Sequence, residues 1–114
     1  METVTAATWI DAPPEAVWAV LTDLARYPEW NTIRRPRVTA TIPNEELRWA
    51  GRLLTGAHSF TLKPANGGTL VLQHVAVRGL MVRFSRHELD RTEAGSRAIN
   101  GALKARVEAR PQTT

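Results

Sequence analysis

Ile10-Asp-Ala-Pro-Pro-Glu-Ala-Val-Trp-Ala-Val-Leu-Thr-Asp-Leu-Ala-Arg-Tyr-Pro-Glu-Trp-Asn31 is the stretch on which the fold turns. The residues leading into it, Thr3 to Ile10, alternate weakly and are rich in β-formers, which predicts a first strand. Asp11-Ala-Pro-Pro-Glu15 stops that strand. A residue preceding proline avoids the helical region, so Ala12 and Pro13 stay extended, whereas Pro14 can open a helix with Glu15 as a first-turn acid. Val17, Val20, Leu21 and Leu24 recur at helical spacing, Thr22-Asp23 offers a second cap, and Pro28 ends the segment. The reading is two short helices, Pro14 to Leu21 and Asp23 to Tyr27.

Downstream the period changes to two. Val38, Ala40 and Ile42 are expected on one face of a strand and Arg37, Thr39 and Thr41 on the other, until Pro43-Asn44 turns the chain. Leu47, Trp49, Gly51 and Leu53 then oppose Glu46, Arg48, Ala50 and Arg52, and after Gly56 the residues His58, Phe60 and Leu62 alternate with Ser59, Thr61 and Lys63. Asn66-Gly67-Gly68 has the composition of a tight hairpin, and Thr69 to Arg78 is apolar on both faces, as in a central strand. Leu80 to Arg110 is free of proline. Its Ile99, Leu103 and Val107 stripe, extended backwards by Ser96 or Gly95 and by Thr92, predicts a long amphipathic helix. The order is one strand, two short helices, four strands and a helix, an α+β arrangement over residues 1–114 read as one domain.

Composition narrows the function classes. The 114 residues are 43% hydrophobic and 23% charged, ordinary for a globular chain, and contain no cysteine, which excludes thiolate metal sites and cysteine nucleophiles. No apolar run reaches the roughly 20 residues needed to cross a bilayer, and the start lacks a signal-peptide pattern, so a cytoplasmic protein without membrane insertion is expected. The net charge of +4 comes from the second half, where Arg91, Arg97, Lys104 and Arg106 alternate with Asp90, Glu93 and Glu108. That is the pattern of a solvated helical face, not a nucleic-acid surface. Trp9, Trp18 and Trp30 are assigned to packing at the strand-helix corner.

The quoted opening, together with Asn44-Glu-Glu-Leu-Arg-Trp-Ala-Gly51, His58-Ser-Phe-Thr-Leu-Lys-Pro64 and Ala98-Ile-Asn-Gly-Ala-Leu-Lys104, resembles the START-like superfamily of polyketide cyclases, birch-pollen allergens and lipid-transfer domains. The resemblance implies a helix-grip fold: a curved antiparallel sheet of about five strands wrapping a long C-terminal helix around space for an apolar ligand. One departure stands out. Only Thr32-Ile-Arg-Arg-Pro36 separates the Trp-Asn element from the strand at Arg37, where the family pattern has two more strands. Five strands would put the first strand and Arg37 to Ile42 at opposite edges, about 19 Å apart at about 4.8 Å per strand. A five-residue connector spans about 17 Å. Edges left unpaired in this way favour a homodimer formed through the sheet edge.

Candidate chemistry is sparse. Ser59, Ser85 and Ser96 lie in no nucleophile elbow, His87-Glu88-Leu-Asp-Arg91 has arginine where a metalloprotease needs its second histidine, and Gly67-Gly68 lacks the Gly-Lys-Ser/Thr of a phosphate loop. His58 and His74 fall on different strands without a carboxylate cluster, so neither metal nor cofactor is expected. Trp49 and Phe60 are expected to line the grip opposite small helix residues, Gly95 and Ser96, between Thr92 and Ile99. Polar candidates to orient a ligand are His58, Gln73 and Asn100, with Gln73 inward only if, as the resemblance implies, Val71, Val75 and Val77 lie on the cavity face. The expected ligand-binding set is therefore Trp49, His58, Phe60, Gln73, Ser96, Ile99 and Asn100, holding a small apolar or amphipathic molecule without catalysis. Two alternatives stay open: a cyclase or dehydrase using His58 near neutral pH, and a non-catalytic oligomerising module.

Overall fold

The proline pair of the opening segment does what its chemistry requires. In the computed structural model, which describes residues 2–31, 37–50, 57–77 and 86–109, Pro13 is extended at φ −68°, ψ 158°, and helix α1 (Pro14–Thr22) starts on Pro14. Val17, Val20 and Leu21 are its buried face. The second short helix, Leu24–Glu29, is 3-10 and carries Pro28 inside it, beyond the end expected at Tyr27. Tyr27 is buried and its hydroxyl donates to the Leu21 carbonyl, pinning this turn back onto α1. Burial pushes the Tyr27 phenol pKa upward, so it is a permanent donor at physiological pH.

Five strands form one antiparallel sheet in the order β1-β5-β4-β3-β2: β1 (Glu2–Ile10), β2 (Arg37–Ile42), β3 (Glu46–Ala50), β4 (Ala57–Ala65) and β5 (Gly68–Val77). The first strand pairs with the last and β2 lies at the opposite edge, as the family resemblance implied. Residues of the connector, 32–36, and the continuation of β3 through Gly51 and Leu53 lie outside the described residues. Helix α2 (Arg86–Ala109) crosses the inner face over β1 and β5. Ser96, Asn100, Leu103 and Val107 are its buried stripe, and Ile99 packs against the core.

Three expectations are corrected by the geometry. Val38 pairs with Trp49 and Thr41 with Leu47, whereas Ala40 opposes Arg48 and Ile42 opposes Glu46, with a register shift between Val38 and Ala40. Opposed residues point to the same side of a sheet, so the β-bulge moves Ala40 and Ile42 to the outer face and separates them from Val38. Gly95 is exposed and points away from the sheet, leaving Ser96 as the small inward residue. Trp9 lies on the outer face, 38% exposed, its indole N–H donating to the Ala65 carbonyl at 2.8 Å. Only Trp18 and Trp30 pack at the corner against the core.

The β4–β5 hairpin turns on Asn66 (φ 51°) and Gly67 (φ 79°), the pair of left-handed residues that a two-residue hairpin needs. Gly68 serves a different purpose. A Cβ there would press on the Ile10 carbonyl and sit 2.7 Å from the Trp9 ring, so glycine is what lets β5 approach β1. Gly68→Ala is expected to cost about 2 kcal/mol or more through overpacking, read as a lower urea midpoint at unchanged slope. An unchanged midpoint would show that this approach is not tight.

Candidate functional site

Sheet parity assembles the site. Register pairs place Val4, Val75, His58, Trp49 and Val38 in one row across the inner face, and Ala6, Gln73, Phe60, Leu47 and Thr41 in the next. All four sheet residues expected to line the grip, Trp49, His58, Phe60 and Gln73, therefore share one face. Val71 and Val75 are buried on the same face as Gln73, the arrangement on which its inward placement depended. The inner wall is apolar: Leu47, Phe60, Leu62, Val71 and Val75 are all buried.

Trp49 and His58, directly opposed on β3 and β4, stack with ring centroids 3.9 Å apart and planes 14° from parallel. Both imidazole nitrogens of His58 and the indole nitrogen of Trp49 are buried without a hydrogen-bond partner among the described residues. Burial holds the His58 pKa below the usual histidine value, which favours a neutral ring. The linkage has a definite sign: a depressed folded-state pKa means that the unfolded chain takes up the proton first as pH falls. Stability contributed by neutral His58 is complete above about pH 6.5, the unfolded value, and is lost as pH falls from there toward the folded value. Replacing His58 with Phe is expected to flatten the urea-midpoint profile across that window. A parallel profile would place the acid sensitivity elsewhere.

A second polar group sits nearer the helix. Asn100, on α2 and 0% exposed, donates through Nδ2 to the Ala6 carbonyl at 3.1 Å, which leaves Oδ1 with no partner among the described residues. Ala6 is the register partner of Gln73, whose Oε1 is likewise unpaired at 1% exposure. Thus Gln73 and Asn100 both adjoin Ala6 of β1, and Trp49 and His58 stack across β3 and β4. Phe60, opposed to both Gln73 and Leu47, joins the two groups. Ser96 lies one turn before Asn100 on the same buried stripe, while Ile99 is partly buried beside it. Sequence reasoning missed the Ala6 carbonyl, a backbone group with no side-chain signature that becomes visible only once the β1–β5 register is known.

The charges lie elsewhere. Every buried polar side chain among the described residues is uncharged: Thr69, Gln73, Ser96 and Asn100. Asp11 N–H and Lys104 both donate to the Glu108 carboxylate, at 2.9 and 2.6 Å, and hold its pKa below the usual range, the Asp11 contact contributing most. Lys104 also donates to the Trp9 carbonyl at 2.9 Å, so this cluster fastens the last turns of α2 to the end of β1. A separate cleft of about 210 Å³ lies between Val20, Asp23, Arg26, Trp30 and Arg106. Its two arginines are already paired, Arg26 with Asp23 and Glu29 and Arg106 with Glu29, which leaves little net charge to attract an anion. No helix among the described residues is long and apolar enough to cross a membrane.

Comparison with known proteins agrees with this architecture. The family described as polyketide cyclase / dehydrase and lipid transport matches residues 10–94. The solution structure of the Aha1 dimer from Colwellia psychrerythraea superposes with a TM-score of 0.72 at 20% identity, over 96% of this chain and 98% of that one. A START superfamily protein from Mycobacterium smegmatis superposes at 0.75 with 15% identity, over 93% and 97%. At these identities the likeness is one of fold. Small ribosomal subunit protein uS5 of Syntrophobacter fumaroxidans is 42% identical over 73 residues, a match that takes in 64% of this chain and 41% of that protein. Because the match spans only 41% of that curated relative, the relative's own role is not carried over.

Proposed function

The chain belongs to the polyketide cyclase, dehydrase and lipid transport family, and from that membership we propose that it binds a small apolar or amphipathic molecule between its sheet and α2 without transforming it. The observation that carries this reading is the Trp49–His58 stack on an apolar inner wall. It offers an aromatic surface and polar atoms that nothing in the described protein satisfies. Buried polar groups are normally hydrogen-bonded, so unpaired ones facing an apolar wall support a role toward a guest.

The same geometry argues against proton-transfer catalysis. A histidine base is ordinarily oriented by a third group, and His58 has no carboxylate or other hydrogen-bond partner among the described residues. Native mass spectrometry of freshly purified protein tests the reading: the expected result is extra mass removable by organic extraction, and its loss in Trp49→Leu. Bare protein in the parent would overturn it. The alternative, a cyclase or dehydrase, has one observation in its favour, the neutral His58 ring available as a base. It would require that the purified protein convert a polyketone probe and that His58→Ala abolish conversion while leaving binding intact.

We further propose that two copies pair through β2. This edge strand is exposed along its whole length, with Val38 and Ile42 at 37% and 48%, and a neighbour of the same fold is described as a dimer. Thr39 sits in the bulge without a register partner, so Thr39→Pro should spare the β2–β3 ladder while blocking the free edge. Light scattering is expected to show a dimer in the parent and a dissociation constant raised at least about tenfold in the variant. A monomeric parent at high concentration would remove the proposal.

A further inference from the structure

Of the unsatisfied atoms on the inner face, two are carbonyl oxygens from neutral amides. Gln73 Oε1 comes from the sheet at 1% exposure and Asn100 Oδ1 from α2 at 0%, and both residues adjoin Ala6, Gln73 as its register partner and Asn100 through its bond to the Ala6 carbonyl. The Asn100 orientation is fixed by its own bond: Nδ2 must face the Ala6 carbonyl, so the oxygen is the atom left over. An unpaired buried acceptor is costly unless something donates to it. Phe60, Val71 and Val75, which share the inner face with Gln73, and Leu103, on the buried stripe of α2, cannot donate. The Ser96 hydroxyl lies one turn before Asn100 on that stripe, and neither amide oxygen has a partner in the described protein.

Charge decides which donor fits. The buried polar side chains of the described residues are all uncharged, and the arginines and lysines whose contacts are described lie on the outside, in pairs with Glu29, Glu46, Glu93 and Glu108. A carboxylate or phosphate entering here would meet two acceptor oxygens and no cation, and burying an unpaired anion is strongly unfavourable. A hydroxyl on an apolar body would donate to either oxygen and leave its own oxygen to accept. The unsatisfied donors of the Trp49–His58 stack, the one N–H of the neutral imidazole on β4 and the indole N–H on β3, lie farther along the wall.

Building on the ligand-binding reading above, we infer that the helix side of the grip selects an uncharged hydrogen-bond donor, a hydroxyl on an aromatic or alicyclic body, with Gln73 Oε1 and Asn100 Oδ1 as its acceptors, and discriminates against acids. Phe60 lies beside Gln73 and leads to the Trp49–His58 stack, so the apolar body would run from the amide pair toward β3.

The test is titration calorimetry at neutral pH with three probes sharing one ring system and one point of attachment: naphthol, naphthyl methyl ether and naphthoate. Naphthol can donate, the ether cannot, and the acid is an anion. The expected result is naphthol bound at least about tenfold more tightly than either. In Gln73→Leu, which keeps a buried side chain of similar size, naphthol should fall to within about threefold of the ether. Gln73→Leu makes no change to the Asn100 bond, so it is expected to remain folded, and its urea midpoint is measured alongside. Equal or tighter binding of naphthoate or the ether would overturn the inference about ligand class while leaving the ligand-binding reading standing. Retention of the naphthol preference in Gln73→Leu would overturn the assignment of the acceptor. Failure of all three probes to bind the parent, with Gln73→Leu more stable than the parent, would overturn both readings.

Discussion

Phe60→Ala is expected to destabilise the protein by ~3–5 kcal/mol, the range found when a large buried aromatic side chain is truncated. Phe60 is 0% exposed on β4, the middle strand of five, and its register partners are Leu47 on one side and Gln73 on the other. It belongs to the core cluster that also holds Val17 and Leu21 of α1 and Leu103 of α2, so the void left by alanine would open at the junction of sheet and helices. Total stability of a domain this size is typically ~5–15 kcal/mol, which means that the variant should be partly unfolded at physiological temperature. Ile42→Thr, measured at a protein concentration low enough for the chain to be monomeric, is the matched control: the same sheet, a β-branched replacement, an edge position 48% exposed, and an expected effect within ~0.5 kcal/mol. Urea unfolding of both variants separates the cases. A Phe60→Ala cost below ~1 kcal/mol would mean that the inner face is not the core.

The contrast between Phe60 and Ile42 also marks what the sequence could and could not say. Strict alternation in His58 to Lys63 assigned Phe60 and Leu62 to one face, and the structure buries both. The same alternation in Arg37 to Ile42 failed at the bulge, because an extra backbone residue resets parity without any special side chain to announce it. Proline chemistry located the start of α1 to the residue, but Pro28 proved compatible with a 3-10 turn and did not end the second helix where expected. Trp9 was misplaced for a related reason. Apolarity says that a residue prefers cover, while parity within β1 puts Ile10 inside and Trp9 outside, where its ring covers Gly68 and its indole N–H is satisfied by Ala65.

The proposed site was legible in its residues more than in its arrangement. Periodicity left the inward side of β5 undecided, since Leu70 and Leu72 are as apolar as Val71 and Val75; pairing with Phe60 and Ala6 settles it in favour of Gln73. On α2 the choice between Gly95 and Ser96 is one of adjacent residues about 100° apart around the helix, and the packing of α2 on β1 and β5 selects Ser96. The contact that organises the polar end, Asn100 to the carbonyl of Ala6, joins positions 94 residues apart through a backbone atom, beyond the reach of any local pattern.

Placing a carboxyl at that contact should produce a large, pH-dependent loss of stability. In Asn100→Asp the introduced group would replace a donor with an acceptor at a fully buried position. It would face the Ala6 carbonyl and the region of Gln73 Oε1, with no cation buried nearby among the described residues. Desolvation and the two acceptors both disfavour the anion, so the folded-state pKa is expected several units above the ordinary aspartate value near 3.9. The native state then binds the proton more tightly than the unfolded chain, and stability must fall as pH rises from the unfolded value through the folded one. At neutral pH the expected cost is ~4 kcal/mol or more, at about 1.4 kcal/mol for each unit of elevation. Near pH 4 most of it should be recovered, because a protonated carboxyl can donate to the Ala6 carbonyl as the amide does. Urea midpoints of the variant and of the isosteric parent, measured side by side from pH 4 to pH 8, give the comparison. Parallel curves would show that water reaches position 100 and would remove the dry, uncharged pocket end on which the inferred preference for a neutral hydroxyl depends.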